Sequence, residues 1–364
     1  MSSGTSAPTP GEPVGERQWP ELLHVLMQGT DLTTADAEWA MHQMMTDQAG
    51  AARTAALLVA LRAKGESAAE VTGFVQSMLA HAQRIEVPGP ALDIVGTGGD
   101  RSHSVNVSTM AALVAAGAGA RVVKHGNRAA SSSCGSADLL EALGISLELS
   151  PKDVARVGTD IGITFCFAPV FHPAMRFVGP VRRELGIPTV FNVLGPLANP
   201  AQPAASAVGC GDERLAAVMA QVLADRGATA LVFRGDDGLD EVTTTTTTTM
   251  WRVHDGTVTP DVIDPSVLGV APASADQLRG GDPAHNASVA RRLLAGEHGP
   301  VRDVVVVNAA VGLVTLQMHQ GQFGAQWPVL NEVLPAAMTL AAAAIDDGRA
   351  NAVLDRWVAA TQAP

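Results

Sequence analysis

Cysteine and long apolar runs are both scarce in this sequence of 364 residues. Its three cysteines, Cys134, Cys166 and Cys210, lie far apart without C-x-x-C spacing, which argues against a zinc site or a redox pair. No apolar run reaches the roughly 18 residues of a membrane span, and the longest, near residues 335–345, is Ala-rich and predicts a buried helix. We therefore expect a protein of the reducing cytoplasm.

Positive charge is also scarce, because 24 Lys and Arg face 36 Asp and Glu and leave a net charge of −12. Such a chain repels phosphate backbones and anionic lipid, so we expect neither a nucleic-acid nor a membrane partner. An anionic small-molecule substrate would need a locally basic site or a bound metal ion. With 47% hydrophobic and 16% charged residues, the chain must bury a large core.

Two different patterns divide the chain. Residues 1–17 are rich in Ser, Thr, Pro and Gly, lack a signal-peptide pattern, and are predicted to be a flexible tail. Residues 18–87 show helical spacing and predict a small helical domain. Val87-Pro88-Gly89-Pro90 breaks that pattern. Residues 88–364 then alternate short apolar strands with helices, which predicts an α/β domain with a mostly parallel central sheet.

Apolar runs and helical spacing place the elements of this α/β domain. Predicted strands are 92–95, 121–123, 163–167, 189–191, 206–210, 230–233 and 304–307. Predicted helices are 107–118, 137–143, 176–185, 213–226 and 284–294, with a final helical stretch at about 330–357. The seven threonines Thr243 to Thr249 favour a structural, strand-prone segment over one that lines a site.

A predicted strand runs directly into a glycine loop at Asp93-Ile94-Val95-Gly96-Thr97-Gly98-Gly99-Asp100, and Asn106-Val107-Ser108-Thr109 follows at a predicted helix start. Glycines let the backbone approach a ligand, and the amides of a helix N-terminus favour phosphate. The loop matches neither G-x-G-x-x-G nor a Walker A sequence, which excludes an ordinary nucleotide-binding assignment. A tight strand-to-helix turn is the alternative.

Positive charge and small hydroxyl residues are concentrated in Lys124-His125-Gly126-Asn127-Arg128-Ala129-Ala130-Ser131-Ser132-Ser133-Cys134-Gly135-Ser136. In an acidic chain this concentration predicts a site for an anion. A solvated loop in which Ser136 only caps the next helix is the alternative. His125 alone is equally typical of a hydrogen-bonded structural histidine.

Two further segments carry charged side chains. Asp236-Asp237-Gly238-Leu239-Asp240-Glu241 follows a predicted strand, where carboxylates suit Mg²⁺ that also holds substrate phosphates, although an acidic turn is often only solvated. The second segment begins at His172-Pro173-Ala174-Met175-Arg176. On its predicted helix, Arg183 returns to the side of Arg176 whereas Arg182 does not, so only one arginine face needs to point into a site. Either arginine is also compatible with the surface.

These segments, in this order after a helical domain, resemble the anthranilate phosphoribosyltransferase family from about residue 19 to 357. The motifs that carry the resemblance are GTGGD, NVST, KHGNR with its serine-rich tail, GSADLLEALG, FAPVFHPAM, VRRELGIPTVFNVLGPLANP and GLDE. The resemblance implies a fold of the nucleoside phosphorylase/phosphoribosyltransferase type, with helices from about 176–200 joining the helical domain. It implies transfer of the phosphoribosyl group of 5-phosphoribosyl 1-pyrophosphate (PRPP) to the amine of anthranilate in tryptophan biosynthesis, with Mg²⁺ as cofactor, by a homodimer.

The resemblance also assigns roles to single residues. The implied PRPP-binding residues are Gly96, Gly99, Asp100, Ser104, Asn106, Val107, Ser108, Thr109, Lys124, His125, Gly126, Asn127, Arg128, Ala129, Ala130, Ser131, Ser132 and Ser136. The implied anthranilate-binding residues are Gly96, Asn127 and Arg182, with His125, Pro169, Met175 and Gly195 along the same route. The implied metal-binding residues are Ser108, Asp240 and Glu241. Because an aromatic amine is already a neutral nucleophile at pH 7, no general base is assigned, and His125 is expected to orient a substrate.

The chain departs from the family pattern at Ser104-Val105, where Thr-Phe is more common, and at Arg176, where Lys is common. Both changes keep the hydroxyl or the charge, but the missing ring leaves the exact aromatic acceptor and the pathway open. One alternative is a pyrimidine nucleoside phosphorylase, whose motifs differ from KHGNR and HPAM. The other is a non-catalytic relative that binds nucleic acid, which the charge of −12 and the intact pair Asp240-Glu241 disfavour.

Overall fold

A computed structural model describes residues 17–100, 102–129 and 133–362. The predicted tail, apart from residue 17, lies outside these residues, as do Ala130, Ser131 and Ser132 of the predicted PRPP site. The described chain begins with four helices: α1 (Trp19–Met27), α2 (Thr34–Met45), α3 (Gly50–Lys64) and α4 (Ala68–Ala80). Side chains of Thr33 and Ser67 accept backbone N–H bonds at the starts of α2 and α4, which satisfies donors that a helix end leaves free.

The remaining described residues contain seven strands and eleven α-helices. The strands are β1 (Leu92–Gly96), β2 (Val122–Gly126), β3 (Ile163–Phe167), β4 (Ala205–Gly209), β5 (Thr229–Gly235), β6 (Thr248–His254) and β7 (Thr257–Ile263). The helices are α5 (Val107–Gly117), α6 (Ser136–Leu143), α7 (Pro151–Ile161), α8 (Ala168–Phe171), α9 (Gly179–Leu185), α10 (Phe191–Leu197), α11 (Glu213–Asp225), α12 (Pro283–Leu294), α13 (Pro300–His319), α14 (Leu330–Asp346) and α15 (Arg349–Gln362). Short 3₁₀ helices occupy Pro173–Arg176 and Ala275–Leu278.

All seven strands form one sheet in the order β3-β2-β1-β4-β5-β6-β7. The five strands from β3 to β5 run parallel, and β6 and β7 are antiparallel. The predicted fold class, a helical domain followed by an α/β domain with a mostly parallel sheet, is confirmed. The strand order reverses between β1 and β4, and α/β proteins bind ligands in the crevice at the carboxyl ends of such strands.

One face of the sheet packs against the helical part of the chain. The apolar cluster on this face includes Phe74 of α4, Leu194 of α10 and Met219 of α11, together with Val95 of β1 and Val208 of β4. Helices α9 and α10 contact α3 and α4 respectively. The helical part therefore shares a continuous core with the sheet, close to the carboxyl ends of β1 and β4.

Two predicted strands are wrong. Residues 304–307, a run of four valines, lie inside α13, and residues 189–191 form the approach to α10. Among the described residues α13 is the one helix long and apolar enough to cross a membrane, but 83% of its apolar window is buried inside the fold. It packs on β1, β4 and β5. Burial in this central position outweighs the strand preference of valine. The predicted final helical stretch consists of α14 and α15, and the turn between them contains Gly348 at φ +72°.

Candidate active site

Two glycines at the ends of β1 and β4 make room for Asp240. Gly96 and Gly209 are paired in register, and a Cβ on either one would overlap Asp240. The Asp240 Oδ2 atom accepts a hydrogen bond of 2.6 Å from the backbone amide of Gly98, which has φ +65°. The glycine loop after β1 and the acidic turn after β5 therefore meet at the switch point of the sheet.

Asp240 and Glu241 are two adjacent, buried carboxylic acids. Glu241 Oε1 accepts a hydrogen bond of 3.1 Å from the amide of Ser108 in the first turn of α5. Burial, assisted by the charge of Asp100, raises the pKa of Asp240 to about 7. Burial and the charge of Asp240 raise the pKa of Glu241. Two adjacent carboxylates that are both buried are costly to ionise, and a bound divalent cation would offset that cost.

The donor set fits Mg²⁺. Within the described ranges, no group of three or more His, Cys, Asp or Glu side chains is arranged to hold a metal ion unaided. Proteins that bind Mg²⁺ with a phosphorylated substrate commonly supply only one or two carboxylates and leave the other positions to phosphate and water. Asp240, Glu241 and the hydroxyl of Ser108 provide such a partial set of hard oxygen ligands.

Lys124 of β2 provides the positive charge nearest to these acids. Its side chain is only 2% exposed, and its Nζ donates to the carbonyl oxygen of Ile94 and, at 3.2 Å, to Ser108 Oγ. Burial lowers the pKa of Lys124, whereas the charges of Asp93, Glu241 and Asp240 raise it. The ammonium group thus donates a hydrogen bond to one predicted metal ligand, Ser108, and interacts with the charges of the other two, Asp240 and Glu241.

The loop after β2 is folded against α6. Asp138 Oδ2 accepts hydrogen bonds of 2.9 Å from the amides of Ala129 and Gly135, and a Cβ on Gly135 would overlap the loop. Arg128 pairs with Asp138 at 3.2 Å and with Glu141. Its guanidinium also lies over the ring of Phe167, 5.5 Å from the centroid. The charge predicted to attract an anion is therefore engaged by carboxylates of α6 in this structure.

Two histidines form a buried pair next to this loop. His125 Nδ1 is 2.8 Å from the carbonyl oxygen of Gly195, His172 Nε2 is 3.0 Å from that of Ala198, and the ring centroids are 5.1 Å apart. Burial lowers the pKa of His125 to about 3 and that of His172 to about 4, so both are neutral at pH 7. Nε2 of His125 has no hydrogen-bond partner in the part of the chain that the structure describes. This nitrogen is buried, and of the two ring nitrogens of His125 it is the one that is not bonded to Gly195.

Helix α10 brings the remaining segments to the same place. Its Phe191 lies under Arg182, with the guanidinium 5.1 Å from the ring centroid. Its Gly195 accepts the hydrogen bond from His125, if Nδ1 carries the proton. Its Asn192 lies beside the glycine loop, since the amide Nδ2 would be 3.9 Å from a Cβ on Gly99. Sequence reasoning missed Asn192, although the FNVLGP motif contains it.

Arg182 and Arg183 have different surroundings. Burial lowers the pKa of Arg182, and among the described residues no carboxylate forms an ion pair with it. Arg183 is exposed, and Arg176 lies over Phe177. Of the three, Arg182 is the arginine whose charge is most suited to a carboxylate ligand. Pro169 and Met175 belong to the neighbouring α8 and the 3₁₀ helix.

Some predicted residues have protein partners instead. Asn106 accepts a 2.9 Å hydrogen bond from Asn286 and donates one of 3.0 Å to the carbonyl oxygen of Cys134. Ser104 bridges to Arg279 through its backbone.

The four acids of the segment after β5 form two groups with different hydrogen-bond partners. Asp236 and Asp237 accept hydrogen bonds from hydroxyls of the threonine run, with Thr249 and Thr243 as the respective donors at 2.8 Å each. The run is therefore structural, as predicted, and only its last two residues are in a strand. Asp240 and Glu241 are left as the acids that face the glycine loop and α5.

The fold and site define a two-domain glycosyl transferase, in which a glycine loop, a buried lysine and a carboxylate pair meet at the switch point of a parallel sheet. Residues 20–82 match the glycosyl transferase family, helical bundle domain, and residues 88–351 match the glycosyl transferase family, a/b domain. The chain belongs to the anthranilate phosphoribosyltransferase family. It is 55% identical to the anthranilate phosphoribosyltransferase of Salinispora arenicola over 95% of this chain and 97% of the relative.

Solved structures show the same likeness. The anthranilate phosphoribosyltransferase of Thermus thermophilus aligns with a TM-score of 0.84 and 41% identity over 94% of this chain and 99% of that one. The Saccharomyces cerevisiae enzyme in complex with PRPP and Mg aligns with a TM-score of 0.84 and 28% identity over 96% and 99% of the two chains. The family predicted from the motifs is confirmed.

Proposed function

We propose that this protein transfers the phosphoribosyl group of PRPP to the amine of anthranilate in tryptophan biosynthesis, giving N-(5-phosphoribosyl)anthranilate and pyrophosphate. The observation that carries this proposal is the meeting of Gly98, Lys124, Asp240 and Glu241 at one switch point. Relatives that are more than half identical and bear this name support it. They do not support the nucleoside phosphorylase or the nucleic-acid-binding alternative.

The site has to neutralise the leaving pyrophosphate, because negative charge grows there as the bond at the anomeric carbon breaks. Lys124 offers a fixed ammonium group for this purpose. Asp240, Glu241 and Ser108 would hold Mg²⁺, which adds positive charge at the phosphates when bound. The yeast relative in complex with PRPP and Mg supports the use of Mg²⁺ together with PRPP.

The acceptor needs orientation more than activation. Arg182 lies partly buried over Phe191 and binds the anthranilate carboxylate, which fixes the direction of the amine. The amine is a neutral nucleophile at pH 7, and His125 is also neutral because burial lowers its pKa to about 3. His125 therefore orients a substrate through Nε2 rather than by charge.

The decisive experiment incubates the purified protein with Mg²⁺, PRPP and anthranilate and follows the loss of anthranilate fluorescence. We expect loss that requires all three components and releases pyrophosphate. No loss with anthranilate, but turnover of another aromatic amine, would contradict the acceptor. Phosphorolysis of a pyrimidine nucleoside would instead support the rival enzyme class.

We further propose that the protein is a cytoplasmic homodimer that associates through its helical part. Two large apolar side chains there face solvent: Met27 of α1 is 77% exposed and Val59 of α3 is 43% exposed. Helices α1 and α3 pack against each other, so these side chains belong to neighbouring elements. Contiguous exposed apolar surface marks an interface, and these two side chains are the observation that supports the helical part as that surface.

A further inference from the structure

The pairing of β1 with β2 is interrupted just before the active site. Each of the pairs β1–β4 and β2–β3 has five residue partners in register, whereas β1 and β2 share only Leu92 with Val122. Both strands continue for four more residues, to Gly96 and Gly126. The two central strands therefore run side by side without a regular ladder along the part that leads to the catalytic loops.

Polar side chains bridge this gap on one face of the sheet. Asp93 Oδ2 accepts a 2.9 Å hydrogen bond from Asn199 Nδ2, which also donates at 2.8 Å to the carbonyl oxygen of Val123. The side-chain oxygen of Asn199 accepts from the amide of Ala201 at 3.0 Å, so this amide side chain is well satisfied. Asp93 of β1 and Asn199 thus occupy the place where backbone hydrogen bonds to β2 would form.

Lys124 fills the gap from the other face. Successive strand residues point to opposite sides, so Lys124 lies across the sheet from Val123. Its Nζ donates to the carbonyl oxygen of Ile94 on β1 and reaches Ser108 Oγ at 3.2 Å. A regular ladder would engage the backbone of β1 and leave this carbonyl less open to a side chain.

The polar bridge is costly to bury, which argues for a role beyond holding the sheet together. Burial raises the pKa of Asp93 to about 6, against the charge of Lys124, the hydrogen bond from Asn199 and the nearby amides of His125 and Ile94. Burying a carboxylate costs free energy that hydrogen bonds return only in part. Polar groups retained in such a position commonly serve a site.

We propose that Asp93 and Asn199 are positioning residues that hold β1 and β2 apart and thereby set the Lys124 ammonium between Ile94 and Ser108 to receive the anionic donor substrate. This inference rests on the proposed function, in which Lys124 binds PRPP. Neither Asp93 nor Asn199 needs to touch a substrate. Their effect passes through the geometry of the strand ends.

The test compares Asp93→Asn and Asn199→Ala with the control Thr164→Val. Thr164 is a buried polar residue of β3 that pairs with Val123 and donates to the carbonyl oxygen of Val154, away from Lys124. PRPP affinity is measured by calorimetry with Mg²⁺ and without anthranilate. We expect both test variants to weaken PRPP binding roughly 10- to 100-fold, because small misplacements of a binding group cost this much. The anthranilate KM and the binding by the control should stay near the parent values.

A double-mutant cycle with Lys124→Met separates positioning from general damage. If Asp93 acts through Lys124, the double variant Asp93→Asn/Lys124→Met binds PRPP no more weakly than Lys124→Met alone. Additive losses, or parent-like binding by both Asp93→Asn and Asn199→Ala, would overturn the inference while leaving the proposed function intact. Failure of the parent protein to bind PRPP would instead overturn the proposed function, and this inference with it.

Discussion

At the scale of single residues, burial separates two adjacent arginines. Arg182 is partly buried over Phe191, whereas Arg183 is exposed. We expect Arg182→Ala to raise the anthranilate KM about 10- to 100-fold, since a hydrogen bond to a charged group is worth about 1.5–3 kcal/mol. The KM for PRPP should change little, and Arg183→Ala is the matched control. Steady-state kinetics with each substrate varied in turn decides; an equal loss for PRPP would remove Arg182 from the acceptor site.

His172 should link stability to pH. Its pKa is about 4 in the folded protein and 6.5 without burial, so the unfolded chain takes up the proton first as the pH falls. Its contribution to stability is therefore complete above pH 6.5 and is lost between pH 6.5 and about 4, at up to about 1.4 kcal/mol per pH unit.

Urea unfolding at several pH values measures this contribution. The variant His172→Gln should lose stability less steeply than the parent on acidification, and the exposed His298→Gln should keep the parent slope. A parent-like slope for His172→Gln would mean that His172 is already protonated in the folded protein.

At the scale of elements, the sequence correctly predicted those strands that are marked by a local apolar pattern. Five apolar runs correspond to β1 to β5, because strands buried on both faces are continuous and short. The four valines of residues 304–307 misled the prediction, since β-branching favours strands and only the packing of α13 on the sheet reveals a helix. The antiparallel β6 and β7 were not predicted as such. They form a hairpin joined by the two-residue turn Asp255-Gly256, in which both residues have positive φ, and Asp-Gly is a sequence signal for such a turn that the strand assignment overlooked.

For the site, too, the sequence predicted the segments but not the contacts of each side chain. Motifs located the loops that converge, because each loop follows a strand. The motifs could not show which polar side chains of these loops bond to the protein instead of facing the site. Asp236 and Asp237 accept hydrogen bonds from threonine hydroxyls, and Asn106 accepts one from Asn286. The motifs also gave no indication of Asn308, a residue of α13 that bonds to Val242, the residue after the carboxylate pair.

Asn308 links α13 to the turn that carries Asp240 and Glu241. Its Oδ1 accepts from the amide of Val242 at 3.0 Å, and its Nδ2 donates to the carbonyl oxygen of Val242 at 2.8 Å. We expect Asn308→Leu to raise the Mg²⁺ concentration for half-maximal activity about tenfold, as loss of an outer-shell partner does. Thr315→Val on the same helix is the control, because the hydroxyl of Thr315 donates to the carbonyl oxygen of Val311 within α13. Titration with Mg²⁺ gives the result; an unchanged requirement would show that the turn holds its shape unaided.

At the scale of the whole molecule, the net charge of −12 contrasts with two anionic substrates. The contrast is resolved locally, because Lys124 and Arg182 lie at the site and carboxylates there can recruit a cation. The excess negative charge therefore lies on the rest of the protein, outside this site. Because like charge repels a second copy, we expect the proposed association of two copies to depend on an apolar contact.

The proposed dimer can be tested on that contact. We expect light scattering to give twice the mass of one chain, and the pair Met27→Lys/Val59→Lys to reduce it to one. The control is Leu340→Lys on α14, which is also exposed, at 49%, but lies on the α/β part. A dimer that survives the paired change, or dissociates with the control, would place the interface elsewhere.

Helix α13 has a consequence for the unfolded chain. Among the described residues, it is the helix that is long and apolar enough to span a membrane. In the folded protein it is buried between the sheet and other helices, which shield it from water. Heating opens that enclosure and presents 20 mostly apolar residues to water at once. Unfolded molecules would then aggregate faster than they refold. Thermal denaturation should therefore end in a precipitate, and the lifetime of the protein when warm is set by how rarely this helix is released.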